Sequence, residues 1–251
     1  MKINKDKHIG RVLFIVEGSR FEFNLMRQIF CSVLNYEYIE QRRNRPNTFK
    51  SKNDSHSTVA VINTKESNIK DITDNNEYLD AIFEILQNEY HFPVDKSALY
   101  YVFDRDPESN TDTTRIQSYI DSLNDPYEND TGFHAGQLLL SYPSIEGYTI
   151  SNFHSESYHL RFNLGTEAKY FIADNRGIQL NKISADTLLH AATEFKTFIE
   201  SEGITWDIDE FHSASKEIYN LQENEYLTGN GFKVFSMLTL AFLQLGIIEL
   251  D

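Results

Sequence analysis

Arg11-Val12-Leu13-Phe14-Ile15-Val16-Glu17-Gly18-Ser19 decides how the rest of the chain is read. The apolar run from Val12 to Val16 is what a strand buried on both faces requires, and Glu17-Gly18-Ser19 has turn and cap chemistry. From Arg20 onward, Phe21, Leu25, Ile29 and Val33 recur at helical spacing, with Met26 and Phe30 beside them. The opening therefore reads strand, loop, helix. Ala98 to Phe103 and Gln137 to Ser141 repeat the buried-strand signature, and Tyr36 to Ile39 and Thr58 to Ile62 are two further strand candidates. The polar, basic stretch from Arg42 to Ser57 reads as the loop between those two.

Helices are expected over Asp80 to Tyr90, stopped by His91-Phe92-Pro93, and after the cap-rich Ser109 to Thr114, running through Ile116, Ile120 and Leu123. Ser144 is the expected cap of a helix carrying Glu146 in its first turn. Strands of this kind alternating with helices predict an α/β fold, a parallel sheet flanked by helices. Beyond about residue 175 the pattern becomes helical: Ala185 to Ser201, Ser213 to Tyr226 and Phe232 to Leu245. The expected division is an α/β domain over 1–175 and a helical C-terminal region over 176–251. The last of these segments is apolar almost all round, so it should be buried in the chain or in a partner.

The 251 residues include 38 Asp and Glu against 23 Lys and Arg, a formal net charge of −15. A field of that sign repels a phosphate backbone and argues against tight nonspecific duplex binding. The exception is local, since Arg42, Arg43, Arg45, Lys50 and Lys52 gather cations with no acid among them. That segment reads either as a solvated loop or as a phosphate-contacting arm. A single cysteine, Cys31, makes no intrachain disulfide and no zinc knuckle. With no secretion signal and no apolar run near the roughly 20 residues of a membrane span, the expected compartment is the cytoplasm.

Acids follow the strand candidates: Glu17 after the first, Asp104 and Asp106 after Ala98 to Phe103, and Glu146 just past Gln137 to Ser141. In an open parallel sheet the carboxyl ends of the strands form the edge where ligands bind. Asp104 and Asp106, two apart, point to the same side if the extended conformation persists. Carboxylates so converged repel one another unless a cation neutralises them, and Mg²⁺ or Mn²⁺ suits oxygen ligands and can be shared with a substrate phosphate.

Val16-Glu17-Gly18 ending one apolar strand and Val102-Phe103-Asp104-Arg105-Asp106 ending another resemble the TOPRIM fold of topoisomerases, primases and several nucleases. More narrowly, Glu17-Gly18-Ser19-Arg20-Phe21-Glu22, the Phe-Asp-Arg-Asp strand end and Ser141-Tyr142-Pro143-Ser144-Ile145-Glu146 resemble small TOPRIM proteins of bacterial phage defence, such as RloB-like proteins, OLD-family nucleases and the TOPRIM effector of the PARIS system. The resemblance covers roughly residues 10 to 155. It implies a TOPRIM-like Rossmannoid sheet and a Mg²⁺-dependent or Mn²⁺-dependent nuclease, an effector of anti-phage defence that cleaves RNA, tRNA included, ahead of DNA. Glu17 is then a general base or metal-positioning acid, Asp104 and Asp106 hold the metal, and Glu22 and Glu146 complete the acidic site. Arg105, or Arg42, Arg43 and Arg45, would steady phosphate charge. The sequence departs from the pattern at Phe21, where RloB-like proteins commonly have Thr, and Glu146-Gly147-Tyr148 matches the third motif only loosely. The rival expectation is a noncatalytic sensor or regulatory subunit whose acidic residues cap helices and whose apolar last helix docks a partner such as an ATPase. A homo-oligomer is compatible with both.

Overall fold

A computed structural model describes residues 1–18, 20–39, 46–63, 84, 88, 96–127 and 136–250. In chain order its strands are β1 (Lys2–Ile3), β2 (Arg11–Val16), β3 (Tyr36–Ile39), β4 (Asn47–Ser51), β5 (Thr58–Asn63), β6 (Ser97–Asp104), β7 (Asn124–Asp125), β8 (Gly136–Tyr142), β9 (Arg161–Phe162), β10 (Phe232–Lys233), β11 (Phe235–Ser236) and β12 (Ile248–Glu249). The α-helices are α1 (Phe21–Arg27), α2 (Thr113–Ser122), α3 (Glu146–Ser151), α4 (Gly165–Asp174), α5 (Ala185–Ser201), α6 (His212–Leu227) and α7 (Leu238–Gln244). The protein is mixed α/β, its central strands parallel and flanked by helices. The helix expected over 80–90, the cap expected at Ser19 and the arginines at 42, 43 and 45 lie outside the described residues.

The chain folds as two compact units, and neither is bounded at residue 175. The N-terminal unit comprises Lys5–Val102 and Asp112–Leu138. Its sheet has the order β8-β6-β2-β5-β4-β3, to which β6 and β8 contribute their first residues. β2 pairs in parallel with β5 on one side and with β6 on the other, Val16 standing opposite Val102. Every residue from Val12 to Val16 is buried, as a strand covered on both faces requires. The sheet is not parallel throughout, because β4 runs antiparallel to both β3 and β5. β4 also corrects the expected loop: Asn47–Ser51, within the stretch from 42 to 57, forms a strand. It is held by Phe49, fully buried and stacked against Phe23 and Phe30, with Tyr38 tilted beside it. The helix expected from Arg20 forms as α1 and continues as a π-helical segment, Gln28–Val33, burying Leu25, Met26, Ile29, Phe30 and Val33.

The C-terminal unit comprises Met1–Asn4, Phe103–Thr111 and Leu139–Asp251. Here the end of β8 meets β11, which pairs antiparallel with it through Phe235–Tyr142 and Ser236–Ser141. The helix expected from Phe232 to Leu245 is therefore shorter. Phe232-Lys233 joins β9, Phe235-Ser236 joins β8, and only Leu238–Gln244 is helical. The physical reason is that a continuous apolar run satisfies a buried strand as well as a buried helix, and the open edge of β8 supplies backbone partners for the former. In α7 every residue from Leu238 to Leu243 is buried within this unit, and the chain then closes β12 onto β1. α5 and α6 form nearly as expected, α5 starting on a capping box between Ser184 and Thr187. Among the described residues no helix is long and apolar enough to cross a membrane.

Candidate functional site

The end of β6 brings the Asp104-Arg105-Asp106 sequence into the C-terminal unit, where the three side chains bind different partners. Asp104 Oδ1 accepts the Ile145 N–H at 2.8 Å, and Asp106 Oδ2 accepts the Gly165 N–H at 3.2 Å. Asp106 Oδ1 also receives the Glu108 N–H at 3.2 Å, tightening the turn that follows. Ile145 precedes α3 and Gly165 opens α4, so each carboxylate satisfies an amide at a helix start that has no intrahelical partner. The expected Ser144 cap is replaced by Asp104 acting from another strand.

Both carboxylates flank the same short segment. A Cβ built on Gly165 would stand 2.8 Å from Asp106 Oδ2 and 3.0 Å from Ser144 Cβ, so only glycine permits this approach. Ser144 Oγ lies there fully buried, with no hydrogen-bond partner among the described residues. Glu146, next along the chain and 4% exposed, has Lys169 Nζ 3.9 Å from its Oε1.

Arg105 goes the other way. It is 2% exposed, and its Nε and Nη2 bond Glu223 Oε1 and Oε2 at 2.5 and 2.8 Å. Its Nη1 donates to the Asn110 carbonyl at 2.9 Å, while Asn110 Nδ2 donates back to the Asp104 carbonyl at 2.5 Å. Burial by itself would lower the Arg105 pKa, but the hydrogen bonds and charge of Glu223 prevail and raise it. Arg105, expected to meet phosphate, is thus committed to an internal ion pair. Glu223, Asn110, Ser144 and Gly165 were not anticipated; Glu223 lies 118 residues from Arg105, and no local pattern announces it.

In the N-terminal unit, Glu17 follows β2 and is 8% exposed. Glu22, equally buried, folds back so that its Oε1 accepts the Gly18 N–H at 3.0 Å. A Cβ on Gly18 would fall 2.5 Å from that carboxylate, so a side chain there would displace the Glu22 tip from its present place. Glu22 is therefore bound to its own turn.

Among the described residues no three His, Cys, Asp or Glu side chains are grouped so as to hold a metal ion. Mg²⁺ asks for less: one or two carboxylates, with waters and substrate phosphate completing its octahedron. Asp104 and Asp106 are the two carboxylates at this turn, and a carboxylate offers about four lone-pair sites. The buried Ser144 hydroxyl beside them is a polar group still lacking a partner, as an acidic, hydrated site would supply. No family model, curated protein or solved structure matches the chain.

Proposed function

We propose that the protein is a divalent-metal-dependent nuclease of TOPRIM type, cleaving phosphodiester bonds in RNA ahead of DNA as an effector of bacterial anti-phage defence. One observation carries this reading: Asp104 and Asp106 accept amides around one short segment with a buried hydroxyl, while the arginine between them is withdrawn into an ion pair. Asp104 and Asp106 would hold Mg²⁺ or Mn²⁺, which when bound supplies an activated water and neutralises phosphate charge. The chain's own contribution is positional. The Ile145 and Gly165 amides fix the two carboxylates, and the Ser144 hydroxyl offers a hydrogen bond beside them. Glu17 as a further acid rests on the family resemblance.

The alternative of a noncatalytic docking module draws on the same two hydrogen bonds, because a cap needs no metal. Its proposed docking helix, however, is α7, which is covered within its own unit. Parallel incubations of total RNA and plasmid DNA with Mn²⁺, Mg²⁺ or chelator test the proposal. Metal-dependent cleavage by the wild type that is lost in Asp106→Asn is the expected result. Intact nucleic acid under every condition, together with a melting temperature indifferent to Mn²⁺, favours the docking module.

A further inference from the structure

We infer that Glu223, on α6, is a positioning residue that sets the Asp104 and Asp106 carboxylates through Arg105. The inference deepens the nuclease reading and rests on it for its functional meaning, though its structural claim stands separately. Arg105 stands between the two carboxylates in the chain, its side chain bound to Glu223 while theirs accept the Ile145 and Gly165 amides, so holding Arg105 restrains both neighbours. Arg105 is fixed completely. The bidentate pair with Glu223 has side-chain exposures of only 3% and 12%, and the guanidinium lies over the Phe232 ring at 5.5 Å from its centre. The third donor, Nη1, closes on the Asn110 carbonyl, and the Arg105 N–H donates to the Ser141 carbonyl at 2.9 Å. α6 thus reaches the acidic turn through a planar, two-point clasp whose geometry a lysine could not reproduce.

A buried ion pair is a poor device for stability alone, since well-packed apolar residues of similar volume often serve equally well or better. What the pair supplies here is orientation. α6 lies in the C-terminal region, where no metal ligand is expected, yet it would control ligands held elsewhere in its unit.

The test uses the full chain, metal-free, with amide hydrogen exchange at Ile145 and Gly165, the two N–H groups that the carboxylates accept. Glu223→Gln leaves Arg105 with a neutral partner and risks general destabilisation, so the double replacement Arg105→Met with Glu223→Leu is measured beside it, because an apolar pair keeps the packing without the clasp. Glu200→Gln, in the exposed pair with Lys196, is the control. The expected result is a fall in protection of at least about tenfold at Ile145 and Gly165 in the double variant, with protection in α5 unchanged. Undiminished protection at both amides overturns the positioning role. Mn²⁺ affinity is read on the same samples. If the wild type binds Mn²⁺ and the double variant binds about tenfold more weakly with an unchanged melting temperature, the clasp governs the metal site. If the wild type binds no Mn²⁺ while protection still falls, the nuclease reading fails and the positioning role survives.

Discussion

Several carboxylates among the described residues hold backbone amides, and Asp54 does so in a form that pH can test. Its Oδ2 accepts the Ser57 hydroxyl at 2.5 Å and stands 2.5 Å from His8 Nδ1, while Oδ1 accepts the His56 N–H at 3.0 Å. The Ser57 hydroxyl above all, then the His56 amide and His8, hold its pKa well below the ordinary carboxylate value. A pKa depressed on folding means that the unfolded chain takes up the proton first. The stabilisation is fully present above the unfolded value, about 3.9, and is lost as pH falls through the folded one. Asp54→Asn should thus lower the urea midpoint at pH 7, and its deficit against the wild type should shrink steadily below about pH 4. A deficit constant across that range would show that charge plays no part. The same scale explains what the sequence disclosed of the candidate site. The sequence singles out Asp104 and Asp106 by their position where β6 ends, and both accept amides around the Ser144 segment. Arg105 was misread as a phosphate ligand because its partner comes from a helix far along the chain, and Ser144 because its amide neighbour is capped by Asp104 instead.

Elements with one dominant requirement were legible. β2, β6 and β8 are apolar runs short enough to suit a strand rather than a helix; α5 announces itself with an N-terminal cap and a repeating apolar stripe. Elements that answer to two requirements were not. β10 and β11 share their apolar stretch with α7, and β4 shows one anchoring aromatic among polar residues. Gly136 marks where β8 begins for a reason that sequence alone leaves open. It has φ +116°, and a Cβ there would stand 2.7 Å from Tyr101 Cε2 and 3.0 Å from Leu99 Cβ. Gly136→Ala should therefore cost about 1–3 kcal/mol from overpacking, with backbone strain adding to it. Gly177→Ala is the matched control, since a Cβ there meets nothing within 4 Å and should change stability by less than about 1 kcal/mol. Chemical denaturation of both variants checks this, and equal midpoints would contradict the packing argument at β8.

At the scale of the whole molecule, the proposed activity sets a chain of net charge −15 against a polyanion, and such an encounter needs a cation to bring the two together. The basic cluster predicted to do so, Arg42, Arg43 and Arg45, lies outside the described residues. In the proposal, the C-terminal unit supplies that cation through the Asp104 and Asp106 carboxylates, next to an arginine paired with Glu223 on α6. The division into units was not legible in the sequence because pairings between distant segments define it: Met1–Asn4 belongs with the C-terminal unit through β1 and β12, and β11 completes the sheet begun by β8. Calorimetric titration of Mn²⁺ into the wild type, Asp104→Asn and Asp106→Asn tests most directly whether those carboxylates are a metal site. The account predicts saturable binding by the wild type, reduced at least about 100-fold in each variant, with a stability cost of only about 1 kcal/mol for the lost cap. Equal Mn²⁺ uptake by all three proteins, or none by the wild type, would contradict it and leave Asp104 and Asp106 as helix caps.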